Sequence, residues 1–133
     1  MSDYTVVKRE DAMDAMEQWP GFGEMRMFTY SLGAEQVALT WRQMPPDTGG
    51  RGSYGHSHKT QEELYLVLSG EVTFKLGDDV FTAGPGTAVR IPPATVRSIH
   101  NDGRDEAEVV ICSPRVEDPQ GDAQQVEDFW PNE

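Results

Sequence analysis

The sequence holds one cysteine, Cys112, which excludes an internal disulfide framework. Basic residues are also few. Eleven Lys and Arg stand against 23 Asp and Glu, for a net charge of −12. Such a surface repels nucleic acid and anionic membrane alike, so neither is expected as a partner. No apolar run approaches the ~20 residues that span a bilayer, and residues 1–4 lack the basic and apolar regions of a signal peptide. A soluble, cytoplasmic protein is the expectation. There is no internal repeat and no linker. A length of 133 residues suits one domain with a sizeable core and is too short for two ordinary ones. Histidine is scarce as well: only His56, His58 and His100 are present.

What the chain does have is punctuation. Thirteen glycines and nine prolines are spread along it, as in a protein of short strands and tight turns. Met13, Met16 and Trp19 recur at spacing three among acidic residues and predict a short helix over residues 8–19, ended by Pro20-Gly21. Alternation and apolar runs predict strands over residues 25–32, 36–44, 64–68, 72–76, 80–83, 87–91, 96–101 and 107–112. Residues 64–68 and 72–76 read as a hairpin through Ser69-Gly70-Glu71. The organisation is then an N-terminal helix and arm over 1–24, a β unit over 25–113 and an acidic tail over 114–133. The tail is expected to wrap the surface or to be partly disordered, with Val126, Phe129 and Trp130 as its available anchors. The strand count implies an all-β sandwich or barrel. Pattern alone does not choose among jelly-roll, lipocalin and immunoglobulin-like types.

The stretch that carries chemistry runs over residues 50–70. His56 and His58 are two apart, which on a strand puts both imidazoles on one face with Cα atoms about 6.6 Å apart. Glu63 follows after a polar gap, and residues 64–68 are apolar. Gly50, His56, His58, Glu63 and Gly70 have the spacing Gly, five residues, His-x-His, four residues, Glu, six residues, Gly. This resembles the first motif of the cupin superfamily. A second run resembles that family's second motif: Gly86, Pro92 and Asn101 fit, Ala94 stands where Gly is usual, and Arg97 stands where a histidine ligand is usual. The resemblance covers roughly residues 35–112. It implies a double-stranded β-helix, the jelly-roll cupin barrel, commonly dimeric, with the site in the barrel mouth.

The same resemblance implies a divalent metal such as Mn, Fe, Ni or Zn, with His56, His58 and Glu63 as its protein ligands. Arg97 cannot ligate a metal. It is read either as the ion-pair partner of Glu63 or as a clamp for an anionic ligand. His100 has the opposite strand parity and is expected to point away from the lumen. Tyr65 shares the face of Glu63 and can offer its hydroxyl to a ligand, and Asn101 is read as fixing a turn. Two functional readings follow. One is a metal-dependent enzyme of dioxygenase or isomerase type. The other is a binding module, with or without metal, for a small polar or acidic molecule. A homodimer is expected, because a barrel of this size cannot hide both apolar faces of residues 64–76.

Overall fold

The computed structural model describes residues 3–132. Its elements in chain order are β1 (Met13–Asp14), β2 (Glu24–Met27), α1 (Phe28–Leu32), β3 (Val37–Met44), β4 (Thr48–Gly49), β5 (Ser53–His58), β6 (Glu63–Ser69) and β7 (Val72–Leu76). They continue with β8 (Asp79–Ala83), β9 (Ala88–Ile91), β10 (Arg97–Asn101), β11 (Ala107–Pro114), α2 (Pro119–Asp122) and β12 (Ala123–Trp130). Two antiparallel sheets face each other as a jelly-roll barrel. One has the order β1-β2-β3-β11-β6-β9, the other β12-β5-β10-β7-β8, with β4 also paired to β10. Met44, Val67, Val72, Phe74, Ile91 and Val109 fill the space between them and are fully buried. Among the described residues no helix is long and apolar enough to cross a membrane.

Three local expectations are corrected. The helix predicted over residues 8–19 is a single 3-10 turn, Arg9–Asp11, followed by β1. The Asp14 carboxylate explains the break: it accepts from the backbone N–H of Met16 and of Met25, both at 2.9 Å, and so competes with a helical ladder. The strand predicted over residues 25–32 ends at Met27 and turns into α1, which Gly33 closes in the left-handed region at φ 67°. Residues 64–68 and 72–76 do form strands, β6 and β7, but not a hairpin, because they belong to different sheets. Gly70, at φ 70°, carries the corner between them, and a side chain there would strike the Glu106 carbonyl. Tyr65 and Val67 therefore meet Val72 and Phe74 across the core, while Leu64, Leu66 and Leu68 face outward.

The acidic C-terminal segment wraps the barrel as regular structure. β12 pairs with β5 along the edge of the second sheet, with a register break between Val126 and Trp130. Two of the anchors picked from the sequence hold it. Trp130 is buried beneath the Arg51 guanidinium, and Lys75 sits over the Phe129 ring. Pro119 begins α2, and the Asp118 carboxylate accepts from the Gly121 N–H. That turn delivers Asp122 to the barrel.

Candidate metal centre and barrel cavity

β5 carries His56 and His58 on its inner face. Arg97 on β10 lies directly opposite His56, so the three share the lumen. β6 brings Glu63 in from the facing sheet. One donor atom from each of His56, His58 and Glu63 lies within 4.8 Å of the other two. Nε2 of His58 is 3.6 Å from Glu63 Oε2, and Nε2 of His56 is 3.9 Å from Glu63 Oε1. Two donors bound about 2.1 Å from one ion stand roughly 3–4 Å apart, so these separations suit a shared cation.

The groups around the three residues fix them unequally. Nδ1 of His58 lies 3.2 Å from an Asp122 oxygen. With the proton on Nδ1, His58 turns the lone pair of Nε2 toward Glu63. That Nε2 is buried and has no hydrogen-bond partner among the described residues. A buried polar atom left unpaired is costly, and a metal ion would satisfy it. Asp122 is itself well supported. Burial alone would raise its pKa, but hydrogen bonds from the Thr60 hydroxyl, the Gln61 and Thr60 N–H groups and His58 hold it below the ordinary carboxylate value. His56 has no such backing, and its side chain is 35% exposed against 8% for His58. Its pKa is lowered to about 4, first by burial and then by its neighbours His58, Arg97 and Arg42. The ring is therefore neutral, as a ligand must be, through the physiological range.

Arg97 occupies the position opposite the histidine pair, as the second motif implies, and its guanidinium is sealed at 0% exposure. Nη1 donates to Glu63 Oε1 at 3.0 Å, and Nη2 donates to the carbonyls of Pro92 and Pro93 at 2.6 and 3.3 Å. The Tyr65 hydroxyl also donates to Glu63 Oε1, at 3.1 Å. Oε1 is thus held by the protein, while Oε2 faces His58. Of the two roles open to Arg97, the structure displays the ion pair with Glu63. Burial raises the Tyr65 pKa, so the phenol stays protonated as that donor.

The remaining readings have clear outcomes. His100 lies outside the lumen, as its parity requires, and is buried against Trp130 with Nε2 3.1 Å from Asp47. Asn101 fixes a turn: its amide donates to the Met44 and Asp105 carbonyls, and its oxygen accepts from Gly103 N–H. Two residues of the lumen had no sequence signal. Asp122 is one of many acids in an acidic segment. Arg42 sits in a strand whose apolar phase, Val37-Leu39-Trp41, suggests a core face on the other side. In fact Arg42 and Met44 point inward, and Arg42 joins His56 and Tyr65 in lining a cavity of about 310 Å³. Met16 and Phe22, from the N-terminal arm, and Met25, on β2, form its apolar rim.

Residues 43–113, more than half of the chain, match the family model described as a cupin domain. A stretch of 58 residues is 34% identical to an uncharacterized protein of Methanocaldococcus jannaschii. It covers 44% of this chain and 46% of that one, so the match spans less than half the length of that relative. Among solved structures, the polyketide cyclase RemF from Streptomyces resistomycificus superposes with a TM-score of 0.72 at 22% identity, over 94% of this chain and 85% of that one. A sugar phosphate isomerase from a cupin superfamily, of Silicibacter pomeroyi, gives 0.71 at 12% identity over 96% of each chain. A predicted oxalate decarboxylase of Thermotoga maritima gives 0.66 at 18% identity over 84% and 100%. At such identities the likeness to solved structures is one of fold, and it agrees with the match over residues 43–113: the chain belongs to the cupin domain family.

Proposed function

We propose that this protein binds a divalent metal ion through His56, His58 and Glu63 and holds a small polar or acidic molecule beside it in the barrel. The observation that carries the reading is the buried, unpartnered Nε2 of His58, aimed at Glu63 while Nδ1 rests on Asp122. The donor set of two imidazoles and one carboxylate suits Mn, Fe, Ni or Zn. When bound, the ion would supply Lewis acidity and open coordination positions. His56 and His58 would hold it, and Arg97 and Tyr65 would fix the carboxylate that completes the set. The test is a titration of chelator-treated protein with Zn²⁺ and Ni²⁺, beside the His58→Ala and Glu63→Gln variants. We expect one ion per chain in the wild type and affinity at least about tenfold lower in each variant. Equal affinity in all three would remove the site.

A metal-dependent enzyme of dioxygenase or isomerase type is the second reading. It is favoured by the cavity that reaches His56, since a bound molecule would there adjoin the ion. The proposal includes a second copy of this chain as partner. Leu64, Leu66 and Leu68 are 50, 39 and 45% exposed in one outward row, an apolar strip that a dimer would cover. Light scattering that gave the monomer mass at micromolar concentration would overturn the dimer.

A further inference from the structure

The charges inside the barrel do not balance. Arg97 is matched by Glu63 at 3.0 Å. The side chain of Arg42, on the facing sheet, makes no ion pair and no hydrogen bond among the described residues; its Nε, like the unpaired Nε of Arg97, is closed off from solvent. The chain has 23 carboxylates, yet none of those described is within ion-pair range of this guanidinium. Burial lowers its pKa, although part of the half-buried side chain borders the cavity. A partly desolvated charge with no partner is costly, and a bound anion would offset that cost.

The cavity around Arg42 has two kinds of wall. The polar part includes Arg42, His56, Tyr65 and Arg97, whose Nη donors are already taken by Glu63, Pro92 and Pro93, with Tyr54 on the same strand face as His56 and half-exposed at the mouth. The apolar part is Met16, Phe22 and Met25. We propose that Arg42 is an anion subsite, taking the carboxylate of a small organic acid whose apolar body packs on Met16, Phe22 and Met25. This rests on reading the barrel as a small-molecule site. A planar guanidinium fork matches a carboxylate with two parallel hydrogen bonds. An inorganic anion would satisfy the charge but leave the apolar rim uncovered. A volume of about 310 Å³ holds a single-ring acid and is tight for a nucleotide. The exterior charge of −12 opposes anions at long range, but at physiological salt it is screened beyond about 8 Å, so the local Arg42 field governs within the cavity.

Calorimetric titration of the full chain tests this, with benzoate as probe, benzamide as its neutral counterpart and inorganic phosphate as the bare anion. Each is run with chelator present and again with Zn²⁺. We expect benzoate to bind at least about tenfold more tightly than benzamide or phosphate. Arg42→Gln should reduce benzoate to the level of benzamide, without lowering Zn²⁺ affinity, and Arg42→Lys should keep part of the preference. Equal binding of benzoate and benzamide overturns the subsite, as does no benzoate binding or an unchanged Arg42→Gln variant. Phosphate binding as tightly as benzoate overturns the organic-acid assignment. If Arg42→Gln does not fold, the ratio of benzoate to benzamide in the wild type still decides. Zinc bound with benzoate ignored sinks this inference alone; benzoate bound with no zinc site sinks the metal reading alone.

Discussion

The lumen has a tied side and an open side, and each holds one arginine and one histidine. On the tied side, Arg97 gives Nη1 and Nη2 to Glu63, Pro92 and Pro93, with only its Nε unpaired, and His58 leans on Asp122. On the open side, Arg42 and His56 border the cavity with no carboxylate behind them among the described residues, apart from Glu63 at 3.9 Å from His56. The same residue types in one barrel thus stand in opposite states. A charge whose donors are matched by the chain supports the fold, and one left unmatched weakens it unless something else fills the gap. The tied side is therefore where substitution should cost stability, and the open side where it should cost binding.

The largest expected effect tests that division directly. Arg97→Met would leave Glu63 without its cation and two carbonyls without a donor, at a cost of about 3–5 kcal/mol in unfolding free energy. Arg42→Met removes a charge with no partner, so the metal-free protein should lose no stability and should gain whatever the unmatched charge costs it. Urea unfolding of both variants measures the contrast, and equal losses would break it. The next effect sharpens the histidine half. Asp122→Asn withdraws the charge behind His58 while keeping its shape, and should weaken Zn²⁺ binding by about 10–100-fold in a chelator competition. The wild-type affinity in this variant would mean that Asp122 only anchors the C-terminal segment through Thr60 and Gln61.

The candidate ligand set, which spans both sides, was largely legible in the sequence, because spacing encodes it. The His-x-His pair and Glu63 lie on strands whose alternation fixes which way they point, and parity alone separated Arg97 from His100. Arg42 was not. Arg42 faces inward because β3 turns its polar phase to the lumen and leaves Trp41 outside, under the Arg9 guanidinium. No pattern within β3 announces that choice, since it depends on how the N-terminal arm covers the outer face. Asp122 was hidden for a related reason: its contact with His58 spans 64 residues and arises from β12 pairing with β5. Pro92 and Pro93 read as strand breakers. That is correct, but their carbonyls also receive Arg97, which only the folded chain reveals.

The smallest expected effect is a pH dependence that belongs to the open side. In the unfolded chain the His56 ring takes up a proton near its ordinary pKa of 6.5, whereas in the folded protein it does so only near about 4. Between those values the unfolded state binds more protons, so the stability of the metal-free protein is complete above 6.5 and declines as pH falls toward about 4. The side chain is 35% exposed, so solvent screens the interaction and the loss should be only about 1 kcal/mol. Urea unfolding of wild type and His56→Gln between about pH 7 and about pH 4.5 isolates it, because the variant should show a shallower slope. Identical slopes would mean that His56 is not held neutral by its surroundings. Arg42→Gln adds a finer check: removing that cation should raise the His56 pKa and reduce the slope in the same direction. A slope unchanged by Arg42→Gln would uncouple the two open-side residues and leave burial, His58 and Arg97 as the causes of the His56 shift.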